Sequence, residues 1–238
     1  PEEGAPGFWT GADILDESGD DMAQLYNLDA VAYESVMVGL FQILRGPPNG
    51  EGEKTGSPKL TELTVGFSRD GYHWHRPTRR NFIGARREGG AWDYGYVEST
   101  GGVCLIAGDE IWFYYSAYAG DPARVGSTWQ VNGMYANGAV GLAKLRRDGF
   151  VAMQARFPGA SLRTRPVQFE RGDRLFVNAN TAGTELRVEI QDANGQALPG
   201  YTAAECVPFV GNRTCARIRW KERETLAGCR GRPVRFRF

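Results

Sequence analysis

Apolar and polar residues alternate with a period of two across residues 60–67, as in a strand with one face buried. Asp70-Gly71 follows and predicts a tight primed turn, after which Tyr72, Trp74 and Pro77 begin and close a return strand. Upstream, residues 28–33 read as a short strand, Glu34 as its hairpin turn, and residues 36–44 as an almost unbroken apolar strand buried on both faces. The Pro- and Gly-rich residues 46–58 predict a turn-rich loop, and residues 79–91 a polar connection. A second set follows: strands over residues 94–98 and 102–106, a Gly108-Asp109 turn, an aromatic strand over 111–116, a long loop over 120–137, and strands over 139–146 and 150–155.

The two sets share a motif. Arg147-Asp148-Gly149-Phe150 echoes Arg69-Asp70-Gly71-Tyr72 at a distance of 78 residues, with strand-like runs and no convincing amphipathic helix between them. Multi-strand repeats at such a spacing predict blades of a β-propeller. Beyond Phe157-Pro158-Gly159-Ala160, which reads as a linker, the texture becomes strand-turn-strand. Leu186, Val188 and Ile190 fall on one face of a strand, and Arg187, Glu189 and Gln191 on the other. The prediction is therefore all-β: residues 1–158 as a β-propeller portion, residues 159–238 as a C-terminal β-sandwich. Residues 1–24 are Gly- and Asp-rich and read as a loop.

Composition agrees, with 32 Gly, 12 Pro and 12% aromatic residues. Lys plus Arg (28) balances Asp plus Glu (28), so no net field draws nucleic acid or an anionic membrane, and neither is expected as a partner. No apolar run is long enough for a transmembrane helix. The chain carries no phosphate-binding loop, dinucleotide fingerprint or nucleophile elbow, so no cofactor is expected. His73 and His75 share a strand face but lack a third ligand, and the four cysteines lack zinc spacing, so no metal is expected. Cys104 reads as core. Cys206 and Cys215 flank the glycosylation acceptor Asn212-Arg213-Thr214, and the expectation divides between a disulfide across it and two buried thiols.

Several segments together resemble bacterial proteins of the glycoside hydrolase family 32-like group: Tyr26 to Glu34, Phe67 to Trp74 with Arg76-Pro77, Trp92-Asp93-Tyr94-Gly95-Tyr96, Gly141 to Phe150, and the Gly-x-Pro-Val-Arg ending. These are similar to the five-bladed propeller enzymes of families 32 and 43, which carry a C-terminal β-sandwich. The resemblance implies a secreted or extracytoplasmic, carbohydrate-active protein acting on an oligo- or polysaccharide. Residues 1–155 hold two blades and parts of a third, so it also implies that the remaining blades come from a longer parent chain or a second copy.

Glycosidic bond cleavage uses two carboxyl groups flanking the scissile bond, about 5–5.5 Å apart for retention and about 6.5–9.5 Å for inversion. Propellers supply such groups from the innermost strands of different blades. The resemblance points to Asp29 as a transition-state stabiliser or pKa modulator and to Glu98 as the general acid; Asp93 is a further acidic candidate. Tyr96 shares its strand face with Glu98 at i and i+2. Trp92, Glu34, and the long-loop aromatics Trp129 and Tyr135 complete the expected sugar-binding set, since flat aromatic faces suit the C–H faces of sugars. The alternative is a propeller that binds carbohydrate or acts as a scaffold without chemistry, or an inactive fragment of the enzyme.

Overall fold

The computed structural model describes residues 8–16, 23–126, 131–157 and 159–238. The described residues are mostly β-strand with one short α-helix, in two compact units, Pro1–Leu145 and Arg146–Phe238. This division precedes the boundary expected at Gly159.

Unit 1 begins with a four-stranded antiparallel meander: β1 (Gln24–Tyr33), β2 (Val36–Leu44), β3 (Thr61–Ser68) and β4 (Trp74–His75). Val38, Leu40, Phe41 and Ile43 are all buried, so β2 is covered on both faces as its apolar run requires. Of the two turns expected in this sheet, the one at Glu34 is tight and the one at Asp70-Gly71 is not. Tyr33 pairs with Val36, leaving Glu34-Ser35 as a two-residue loop with Glu34 at φ 50°. The Asp70-Gly71 segment instead forms a five-residue loop between Ser68 and Trp74. Its Asp70 carboxylate accepts the backbone N–H groups of Tyr72 (2.9 Å) and His73 (2.8 Å) and lies 2.8 Å from His73 Nδ1, so side-chain acceptors replace the hydrogen bonds of a tight turn. The His73 contact, foremost, holds the Asp70 carboxyl well below the ordinary carboxylate range.

The expected loop over residues 46–58 contains helix α1 (Asn49–Thr55), preceded by a cis Gly46–Pro47 peptide. Pro48 precedes its first turn, Gly56 closes it at φ 66°, and Glu51 and Lys54 sit at the termini that suit their charges. Seven residues are too few for an apolar stripe to reveal a helix in sequence.

The second sheet comprises β5 (Gly95–Ser99), β6 (Leu105–Ala107), β7 (Glu110–Tyr118) and β8 (Gly138–Arg146). β5 and β6 pair in succession with β7, and β8 also pairs with β7. β3 in the first sheet and β8 in the second each lead into an Arg-Asp-Gly turn. The return strand expected over residues 150–155 is absent; these residues run without regular structure.

One face of the first sheet holds buried ions. Glu62, 2% exposed, accepts from Arg45 Nε at 2.8 Å, Arg87 Nη2 at 2.7 Å and the Ala85 N–H at 3.2 Å. Arg76 is bidentate on Asp16 and lies over the Phe41 ring, 4.9 Å from its centroid. Trp74 is packing, as expected: its ring is 5.6 Å from that of Phe41, and it occupies the space beside Gly39 where a Cβ would fall 2.6 Å from it.

Unit 2 holds two pairs of strands: β9 (Leu175–Asn180) with β11 (Asn212–Ile218), and β10 (Glu189–Gln191) with β12 (Arg235–Arg237). They share a core of Val188, Ile190, Tyr201, Cys206, Ile218, Trp220, Leu226, Cys229, Val234 and Phe236. The aromatic polar atoms in it are satisfied, Trp220 Nε1 donating to the Val188 carbonyl (3.0 Å) and Tyr201 Oη to that of Thr225 (2.8 Å). All four cysteines are free, so of the two expectations for Cys206 and Cys215 the disulfide does not form and the buried thiol holds for Cys206 alone: its sulfur accepts the Val188 N–H in the core, while Cys215 is exposed on β11. Cys104 is half-buried rather than core.

Candidate functional site

The chemistry of unit 1 gathers around a β-bulge. Gly95 pairs with Tyr118 and Glu98 with Ser116, so Tyr96 and Val97 together oppose Ala117. Tyr96 sits at φ 50°, a left-handed conformation costly for a residue with a Cβ, and its N–H donates to the Lys59 carbonyl at 2.7 Å. Gly95 is needed beside it, because a Cβ there would meet the same carbonyl at 2.7 Å. Bulges of this kind re-aim side chains, and here the result is a group of four tyrosines. The Tyr96 ring makes edge-on contacts with Tyr26 (5.9 Å), Tyr118 (5.4 Å) and Tyr135 (5.6 Å).

Two charged groups border the tyrosines. Tyr96 Oη donates to Tyr26 Oη at 3.1 Å; the buried Lys59 brings Nζ to 3.5 Å from the same oxygen and 5.1 Å from the Tyr26 ring centroid. The donated bond, and then the ammonium charge, lower the Tyr26 pKa below its ordinary value. Tyr96 shifts the opposite way, through burial first and the donated proton second. Glu98 Oε1 accepts from Ser116 Oγ at 2.8 Å, and its negative charge raises both Tyr96 and Tyr118 as a secondary contribution after burial. Two half-buried phenols (Tyr96 and Tyr118), two exposed ones (Tyr26 and Tyr135), a carboxylate and an ammonium offer flat apolar faces together with donors and acceptors.

Of the expected site residues, the structure gathers Glu98, Tyr96 and Tyr135. Tyr135 sits on a 3₁₀ turn, Gly133–Tyr135, whose start is capped by Asn132 Oδ1 accepting the Met134 N–H at 2.7 Å. The long loop carrying it is pinned to the α1 region, with the Asp121 N–H donating to Gly56 and the Gly126 N–H to Glu53. Trp129 lies outside the described residues. Asp93 and Trp92 are apart from the cluster. Asp93 is buried and ion-paired with Arg86 Nε at 3.2 Å, and Trp92 stacks on Tyr115, which points to the opposite face of β7 from Ser116 and Tyr118. Glu34 is exposed at the β1–β2 turn.

Asp29 pairs with Leu40 on β1 and is half-buried, on the same sheet face as Gln42 and Thr61. Thr61 Oγ1 donates to the Val97 carbonyl, so this face looks toward β5. Of the three candidate acids, Glu98 is the one whose charge bears on the tyrosines.

Sequence reasoning missed Tyr26, Lys59 and Tyr118. Tyr118 was within reach, since alternation places it on the same face of its strand as Ser116, the residue that pairs with Glu98. Tyr26 enters through a second bulge, where register slips between Leu25 and Asn27, and no pattern of residue types announces that slip.

No family model, curated protein or solved structure matches this chain.

Proposed function

We propose that unit 1 binds carbohydrate at the tyrosine cluster of Tyr26, Tyr96, Tyr118 and Tyr135, with Glu98 and Lys59 fixing the orientation of sugar hydroxyls. The observation carrying this reading is the left-handed Tyr96 in the β5 bulge. Strained backbone concentrates at functional sites, and this strain assembles aromatic faces with polar rims. The finer architecture belongs to the same proposal: the two four-stranded sheets are blades of a propeller and unit 2 is a β-sandwich. The exposed Leu105, Tyr114, Val140 and Leu142 of the second sheet support a further blade, or a second copy, against that sheet.

The second reading is hydrolysis, with Glu98 as general acid. It is favoured by the placement of Glu98 beside a tyrosine of lowered pKa, because a carboxylic acid and an activated phenol divide acid and nucleophile roles in some glycosidases. Screening the wild-type chain and two variants against a glycan panel separates the readings. Binding that is lost in Tyr96→Ala and retained in Glu98→Gln, without turnover in any variant, supports recognition alone. Turnover abolished by Glu98→Gln establishes hydrolysis. Binding unaffected by Tyr96→Ala removes the cluster from either role.

A further inference from the structure

Unit 2 carries a second polar concentration that the tyrosine cluster does not use. On β10 and β12, Ile190 and Phe236 point into the core, while Glu189, Gln191, Arg235 and Arg237 share the other face. Arg163 bridges to Arg237 across an added edge segment. The flanking bonds join Leu162 to Phe238 in both directions, which makes Arg163 and Arg237 a non-hydrogen-bonded pair, the kind whose side chains stand closest. Two like charges directly opposite destabilise a sheet. Among the described residues no carboxylate pairs with Arg163, while Arg237 Nη1 makes one ion pair, with Glu189 Oε1 at 3.7 Å. Arg235 gives its N–H groups to the carbonyls of Ala193 and Thr164.

An open depression of about 330 Å³ lies here, lined by Ser161, Arg163, Gln191 and Arg237. Gly195 flanks it: a Cβ there would sit 3.5 Å from Arg163 Nη1 and 3.9 Å from Gln191 Oε1. An independent observation comes from Gln191. Its side chain is 6% exposed; its Nε2 donates to Glu189 Oε1 at 2.8 Å, which fixes the orientation of the amide, and its buried Oε1 receives no hydrogen bond. A buried acceptor left without a donor is destabilising, so it calls for a hydroxyl from outside the protein.

We propose that this depression binds a hydroxylated carboxylate of the hexuronate class, its carboxylate lying between the Arg163 and Arg237 guanidinium groups and one hydroxyl donating to Gln191 Oε1. Guanidinium forks match carboxylates geometrically, and the bound anion relieves the Arg163–Arg237 repulsion. Unit 2 thereby selects acidic sugar residues, independently of whether unit 1 binds carbohydrate. Titration of the full chain with glucuronate, glucose and acetate, followed by calorimetry or NMR shifts, tests this. Glucuronate is expected to bind at least tenfold more tightly than either control. Arg163→Gln, at an exposed position and free of the repulsion, is expected to melt no lower than the wild type and to weaken glucuronate binding at least tenfold, and Tyr96→Ala to leave it intact. Equal affinity for acetate, no binding of glucuronate, or binding insensitive to Arg163→Gln overturns the proposal. Loss in Tyr96→Ala would do the same, by placing the uronate in unit 1.

Discussion

The two sheets of unit 1 each have four strands, yet they put their residues to opposite ends. The first is densely packed: β2 is buried on both faces, Glu62 is held by two arginines, and Trp74 fills the space above Gly39. The second bends out of register at Tyr96, leaves Leu105, Val140 and Leu142 exposed, and collects phenols around one carboxylate. Unbroken pairing between β2 and β3 supplies a base on which the slips at Tyr26 and Tyr96 can be tolerated. Strain of about 1–3 kcal/mol at a residue such as Tyr96 persists only where the surroundings over-determine it.

The contrast breaks most sharply at Glu62. Glu62→Ala leaves Arg45 buried without its anion, and urea unfolding is expected to show a loss of about 3–5 kcal/mol. A loss under 1 kcal/mol, by the same standard, would mean that the first sheet does not depend on its buried ions. Gly39→Ala comes next. Its Cβ would lie 2.6 Å from Trp74 and 3.0 Å from Leu28, and a cost of about 1–3 kcal/mol by thermal melting follows from overpacking.

In the second sheet the telling measurement is a titration. Tyr26 has its pKa lowered, so its phenolate forms on the neutral side of the ordinary tyrosine value of about 10. Near-ultraviolet phenolate absorbance is expected to show one tyrosine ionising early. Tyr96→Phe moves that step upward most, because it removes the donated hydrogen bond, and Lys59→Met moves it upward less. Any ligand requiring the neutral Tyr26 hydroxyl is released as pH rises through this step. The smallest effect expected is at Val140, 66% exposed, where Val140→Thr changes stability by no more than about 0.5 kcal/mol. A larger cost, read by chemical denaturation, would mean that this face is covered in solution.

Periodicity made most of the strands legible. The strand expected over residues 36–44 matches β2 to the residue, and residues 139–146 fall within β8. Glycine and aspartate were less reliable guides to turn geometry: Asp-Gly at residues 70–71 gave a wide loop because Asp70 could accept several donors by itself, while Glu34-Ser35 made the tight turn under the constraint of paired strands on both sides. The site was half legible. Glu98, Tyr96 and Tyr135 were named from residue type and position, but Tyr26 and Lys59 meet them only through two bulges, and bulges are set by tertiary packing rather than by a repeating pattern.

The four thiols also differ in exposure, with Cys215 open on β11 and both Cys206 and Cys229 sealed in the unit 2 core. An alkylating reagent therefore modifies Cys215 on mixing and must wait for the core to open before reaching the other two. Counting adducts by mass spectrometry over time turns the unaltered protein into a clock for the opening of unit 2.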